Sequence, residues 1–294
     1  MATKKTAAKS KKTTRKPASA ASRTTTKVTT VKAASKQPKP AVRAPKVASA
    51  RAARSEKFSF SRSPLLAASI AEFVGTFLLG AVVLTQQAAP LAVFFGVVAI
   101  VLGIGLVSGA HINPAITVGA WVTRRIGAAR AAAYIVAQVL GALLALVIVN
   151  AFVSSAADVT PEAAQLGQQS ATLFSAVDIP EGKEWLLLSA EVIGAIIFGF
   201  IFAAVTRERS RVAHAFGIGG GLFLALLITS QFATIAGTAG TILNPAIAAS
   251  LQALSWSIWP LLIYVVTPVV GVVIGFALQD LIKNESQEDV VAVV

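Results

Sequence analysis

Asn113-Pro114-Ala115-Ile116 recurs 131 residues later as Asn244-Pro245-Ala246-Ile247. Asn is a favoured helix N-cap and Pro a favoured first helical residue, so each tetrapeptide opens a helix. The apolar pieces that follow are too short for a bilayer, which takes about 20 residues. Each piece also comes after a glycine-containing loop, so both read as re-entrant segments. The capping Asn uses its side-chain oxygen on the helix and keeps its amide N–H groups for whatever lies in front. Each helix start adds about half a positive charge. Two such starts facing each other at mid-membrane would hold a neutral molecule with lone pairs. They would repel a cation and interrupt a proton relay through water.

Working outward, the rest of the chain repeats as well. Ala71-Glu72-Phe73-Val74-Gly75 with Gly80 matches Ala190-Glu191-Val192-Ile193-Gly194 with Gly199, at an offset of 119 residues. The larger offset between the Asn-Pro-Ala copies places an insertion in the second half. Six runs are apolar enough to span: 64–85, 90–107, 128–153, 185–206, 212–234 and 257–282. Three spans per repeat invert the second copy relative to the first, so the two short segments enter from opposite sides and meet near the midplane.

The composition agrees with a membrane domain: 55% hydrophobic and only 13% charged, with a mean hydropathy of +0.73. An ordinary soluble domain is about 25% charged. The net charge of +13 is unevenly placed. Residues 1–57 hold 17 of the 26 Lys and Arg but one acid, Glu56, so they carry +16 and the remainder carries −3. The 1–57 stretch is rich in Lys, Ala and Thr and lacks aromatic residues and apolar periodicity, which predicts a disordered cytoplasmic tail. The expected division then gives a membrane domain over residues 58–284 and a short C-terminal tail over 285–294. Arg124, Arg125 and Arg130 lie between spans two and three, and Arg207, Arg209 and Arg211 between spans four and five. The 154–184 connection carries Asp158, Glu162, Asp178, Glu181 and Glu184 against Lys183. The positive-inside rule then puts both termini in the cytoplasm. Trp185, Trp256 and Trp259 start spans four and six at the outer interface. The expected location is multi-pass in the cell membrane, with an organelle transit peptide as a competing reading of the basic tail.

These residues resemble the aquaporin, or major intrinsic protein, family. The likeness rests on Ala71 to Phe77, on Ser108-Gly109-Ala110-His111-Ile112-Asn113-Pro114-Ala115-Ile116-Thr117, on Tyr134, Ala137, Gln138, Gly141 and Ala142, and on Pro268, Gly271 and Gly275. It covers about residues 64–282. The resemblance implies an all-α fold, a right-handed bundle of six tilted helices and two half-helices. It implies a homotetramer with a pore through each protomer, carrying water or small uncharged solutes such as glycerol. Asn113 and Asn244 would line the pore with backbone of Gly109, Ala110 and His111 on one side and of Gly240, Thr241 and Ile242 on the other. The family usually has Arg directly after the second Asn-Pro-Ala; here Ile247 stands there, and Ala248 replaces the next-position Asp of glycerol channels. The outer constriction therefore lacks its fixed cation, and the usual rules separating water from glycerol channels do not apply. Its other candidates are Thr241, Phe95 and, on the fifth span, Ile228 or Phe232.

Glu72 and Glu191 are the acids well inside spans, where a charge costs about 2.5–3.5 kcal/mol on insertion scales. One reading is structural: with Gln138 they support re-entrant loops whose N–H groups lack helical partners. The other makes them proton carriers of a coupled transporter. Cysteine is absent, which excludes thiol chemistry and disulfides. Two histidines, His111 and His214, support no metal site. No catalytic constellation or cofactor motif is present: Gly219, Gly220 and Gly221 lie within a span without a P-loop Lys. The tail has three readings, namely binding to anionic lipid, binding to nucleic acid, and a solvated segment that only sets topology. A membrane anchor serving the tail is a third functional class. Deleting residues 1–57 is expected to leave vesicle permeability intact, measured on correctly inserted protein.

Overall fold

The computed structural model describes residues 63–292, apart from 157–158, 162–164, 168–169, 171, 176–178 and 238–239, with backbone alone for 284–292. The tail expectation for 1–57 and the acids Asp158, Glu162 and Asp178 lie outside the described residues. All regular structure among the described residues is helical. The first half supplies three long helices and one short one: α1 (Pro64–Thr85), α2 (Pro90–Ser108), the short α3 (Pro114–Val122) and α4 (Ala128–Ser155). The second half supplies α5 (Glu184–Val205), α6 (Arg211–Ala236) and the short α7 (Pro245–Ser250). The last helix, α8, runs through Ile258–Leu261, a π-helical turn at Leu262–Val266, and Thr267–Ala292. Among the described residues six helices are long and apolar enough to cross a membrane, α8 contributing Ile258–Lys283. The backbone of α8 stays helical past 285, where the sequence reading begins a tail.

Local chemistry explains where the helices start and stop. Pro occupies the first helical position of α1, α2, α3 and α7, where its missing N–H costs nothing. Ser63 and Ser210 cap α1 and α6 by accepting from Leu66 N and Ala213 N. Gly109 and Gly237 end α2 and α6 in left-handed conformation. The second loop is longer because seven residues separate the end of α6 from Asn244, whereas four separate the end of α2 from Asn113. That three-residue excess is part of the insertion expected from the repeat offsets.

The packing repeats as the sequence does. α1 packs on α4 as α5 packs on α8; α1 on α2 as α5 on α6; and α2 meets α6 across the pseudo-twofold. The half-helices exchange partners, α3 packing on α8 and α7 on α4. Each repeat therefore completes the other. Close approach of the paired spans requires glycine at two equivalent positions. A Cβ on Gly141 would meet the Phe73 carbonyl, and one on Gly271 would lie 2.8 Å from the Val192 carbonyl. Small residues let membrane helices come this near, where dispersion rather than a hydrophobic drive holds them.

Polar residues gather at the bundle's ends. Arg125 makes a two-pronged ion pair with Asp280 at 2.9 Å, and Arg207 joins it at 3.2 Å. At the opposite end Trp185 and Trp259 meet edge to face, 5.1 Å between ring centres. Outward faces stay apolar, with Leu106, Phe152 and Ile235 all about three-quarters exposed, as a lipid-facing surface requires. Gly141→Ala and Gly271→Ala are each expected to cost about 1–3 kcal/mol through overpacking, read as a lowered unfolding midpoint in detergent.

Candidate functional site

The two short helices start back to back inside the bundle. Asn113 caps α3 through its side-chain oxygen, 2.8 Å from Ala115 N, and Asn244 caps α7 at 3.1 Å from Ala246 N. Their amide nitrogens reach across the repeat boundary. Asn113 Nδ2 donates to the Leu243 carbonyl at 2.9 Å, and Asn244 Nδ2 donates to the Ile112 carbonyl at 3.0 Å. Each amide thus retains one N–H outside these bonds. Both asparagines are buried, as are Pro114, Ala115, Pro245 and Ala246 behind them.

The accepting carbonyls are aimed by an unusual backbone. Ile112 and Leu243 have φ of +43° and +58°, a region that bulky side chains avoid at a cost of about 1–2 kcal/mol. Buried carboxylates hold them there. Glu72 accepts from His111 N at 2.9 Å and Ile112 N at 2.6 Å. Glu191 accepts from Ile242 N at 2.6 Å and Leu243 N at 2.9 Å. These four N–H groups belong to non-helical backbone that needs a partner away from water. Gln138 donates to Glu72 at 2.8 Å and to Thr117 at 2.9 Å, and Thr117 lies 3.2 Å from His111 Nδ1. The second loop has no copy of this web; there Thr229 and Thr241 share a hydrogen bond of 2.6 Å.

Two cavities meet at this junction, and His111 borders both. The narrow one holds about 50 Å³, room for roughly three or four waters. Its polar border comprises Asn113, Asn244, Gly240, Thr241 and Tyr264 besides His111; its walls include Val93, Val97, Leu222, Leu226 and Ile247. Phe174, from the 154–184 connection, also lines it. The wide one holds about 550 Å³ and is lined by Gly109, Arg125, Arg207, Arg209, Arg211 and His214, among others. Arg125 lies over the Phe276 ring at 4.6 Å, Phe276 stacks on Phe202, and Phe202 meets the His111 ring edge-on.

Several sequence candidates lie elsewhere. Phe95 is exposed on the outer surface of α2. A helix turns about 100° per residue, so a side chain two positions from Val93 and Val97 points the opposite way. The same periodicity corrects the fifth span: Ile228 and Phe232 face outward, and Leu222 and Leu226 line the cavity. Ala110 lines neither cavity; it is fully buried, its N–H donating to Ser108 Oγ. Ile247, Thr241, Gly240 and Ile242 border the narrow cavity. Thr117, Thr229 and Tyr264 were not among the candidate site residues of the sequence reading. Tyr264 had a signal, since it repeats Tyr134 at the 130-residue spacing that relates Gly271 to Gly141.

Six spans, two opposed half-helices and crossed Asn amides define an inverted-repeat membrane protein with a solute-sized cavity at the half-helix junction. The sequence profile of the major intrinsic protein family matches residues 59–278, and the chain belongs to that family. It is 33% identical over 216 residues to the glycerol uptake facilitator protein-like 6 of Lactiplantibacillus plantarum, covering 70% of this chain and 93% of that one. It is 30% identical over 196 residues to the aquaporin AqpM of Methanothermobacter marburgensis, covering 63% and 72%. The X-ray structure of the aquaglyceroporin from Plasmodium falciparum shares the fold, with a TM-score of 0.54 at 20% identity over 74% of this chain and 96% of that one.

Leaving Ile242 and Leu243 N–H unpaired costs about 1–3 kcal/mol each. Glu191→Leu is therefore expected to lower the unfolding midpoint more than Glu191→Gln, which keeps one acceptor oxygen. Equal midpoints for the two variants would contradict the loop-holding role.

Proposed function

We propose that this protein is a passive channel for water or small uncharged solutes such as glycerol, not an enzyme, with ions and protons held back at Asn113 and Asn244. The observation that carries this reading is the crossed pair of amides, each donating to the opposite loop while its helix start faces the junction. Half-helix dipoles meeting there disfavour cations, and waters bound to donors on both sides cannot relay a proton unchanged. The Lactiplantibacillus plantarum relative is a glycerol uptake facilitator-like protein by name, which supports a solute larger than water.

Ile247 makes the outer constriction aliphatic where relatives of this family usually present Arg. Without a guanidinium fork the constriction offers no fixed charge and fewer donors. A proton-coupled transporter is the weaker reading, because both oxygens of Glu72 and of Glu191 are occupied by loop N–H groups. A non-conducting anchor would leave the two cavities at the junction without use.

The basic connections favour cytoplasmic termini and, with the apolar bundle, a place in the cell membrane. Assembly as a homotetramer is supported by the family and by the exposed apolar side chains Ile70, Val136 and Leu140 along the α1–α4 groove. The +16 charge of residues 1–57 would attract anionic headgroups, at about 1 kcal/mol per basic residue near the surface. Nucleic-acid binding is the competing use of that charge.

Stopped-flow shrinkage of proteoliposomes tests the channel. Permeability to water or glycerol is expected to exceed that of protein-free vesicles, with a low activation energy; equality with protein-free vesicles would sink the reading. In the same assay Ile247→Arg is expected to lower the glycerol-to-water permeability ratio.

A further inference from the structure

The wide cavity collects charge for which passage of a neutral solute has no use. Residues 58–294 hold nine Lys and Arg. Four of them, Arg125, Arg207, Arg209 and Arg211, line this one space of about 550 Å³. The positive-inside rule asks only that basic residues lie on the cytoplasmic connections. Arg124 and Arg130 meet that need without lining the cavity. The other four come from two separate connections and border the same volume.

The acids nearby do not balance them. Arg125 and Arg207 both bind the same oxygen of Asp280, at 2.9 and 3.2 Å. Glu208 also lines the cavity but forms no ion pair among the described residues. Four guanidiniums thus face two carboxylates, an excess of +2. A guanidinium presents five N–H donors and keeps its charge. Arg207 and Arg211 each commit one nitrogen, to Asp280 and to the Leu102 carbonyl at 2.8 Å. Arg209 commits none among the described residues.

We propose that the wide cavity is a binding site for a phosphate dianion, free or as a monoester, held by Arg207, Arg209 and Arg211. A dianion matches the excess charge, and its terminal oxygens let separate guanidinium forks bind one group. A carboxylate has one charge and two oxygens, and both oxygens of Asp280 are already on Arg125. A further monoanion would leave the excess half balanced. His111 borders this cavity and the narrow one alike. An occupant therefore lies against the Asn-Pro-Ala junction and obstructs solute passage there. A soluble ester and a monoester lipid headgroup offer the same chemistry, and the test separates them.

The obstruction rests on the channel reading and the binding does not, so the two are measured apart. Full-length protein in detergent is titrated by calorimetry at constant ionic strength, as wild type, Arg209→Gln and Arg130→Gln. The probes are inorganic phosphate, ribose 5-phosphate, dioctanoyl phosphatidic acid and acetate. Residues 1–57 carry the same +16 in all three proteins, so their own attraction for anions cancels in the comparison. Wild type is expected to show one saturable phosphate site per chain. Arg209→Gln is expected to weaken it at least about tenfold, the scale of one charge-assisted hydrogen bond. Arg130→Gln removes the same charge away from the cavity and is expected to keep the affinity. Equal losses in the two variants, no saturable site for any phosphate probe, or acetate binding as tightly as phosphate would each overturn the site. A site filled by phosphatidic acid and by neither soluble phosphate would support it and identify a lipid headgroup as the source. In phosphatidylcholine proteoliposomes with ribose 5-phosphate on both sides, urea flux is expected to fall in wild type and persist in Arg209→Gln. Unchanged wild-type flux at saturating ligand would overturn the obstruction. Ligand-free vesicles no more permeable than protein-free ones would instead overturn the channel reading, with the calorimetry still deciding the site.

Discussion

Backbone that leaves a helix inside a bilayer must find hydrogen-bond partners within the protein. Everything at the centre of this molecule follows from how that requirement is met. The loops before Asn113 and Asn244 present N–H groups that no helix absorbs, and Glu72 and Glu191 absorb them two at a time. The carboxylates hold Ile112 and Leu243 in left-handed backbone. That backbone turns the Ile112 and Leu243 carbonyls toward the opposing asparagines. Remove the acids and the crossed amides lose the acceptors that orient them.

The two halves solve the problem alike, and their differences locate the chemistry. Around Glu72 the support is extended through Gln138 and Thr117 to His111. Around Glu191 the positions matching Gln138 and Thr117 by repeat spacing hold Pro268 and Ala248, so support stops at the carboxylate. The narrow, aliphatic cavity borders this sparser side, with Ile247 and Tyr264 on its wall. The wide, arginine-lined cavity opens beyond His111 on the other. A charged cavity and a largely apolar one therefore share a border at His111.

Much of the fold was legible in the sequence because membrane helices obey few rules. Length and apolarity mark spans, and the observed ends of the six spanning helices fall within two residues of those readings, apart from the C-terminal extension of α8. The paired Glu and Asn-Pro-Ala positions mark the inverted repeat, because a charge or a helix break in lipid needs a reason. The constriction was less legible. Phe95, Ile228 and Phe232 are large and near the right depth, but helical phase turns them outward. Phase at that precision depends on where each helix starts and how it packs.

The sequence by itself determined the six spans, the two re-entrant starts, the internal inversion and the separation of a +16 tail from the apolar domain. These follow from transfer energies and capping preferences, which are local. Only the tertiary structure decided which N–H groups the buried acids serve, that each asparagine binds the other repeat's carbonyl, and that Tyr134 donates to the Ser108 carbonyl while Tyr264 borders the narrow cavity. Those outcomes join residues from different helices, and whether a polar side chain finds a partner is a property of the packed neighbourhood, not of its spacing along the chain.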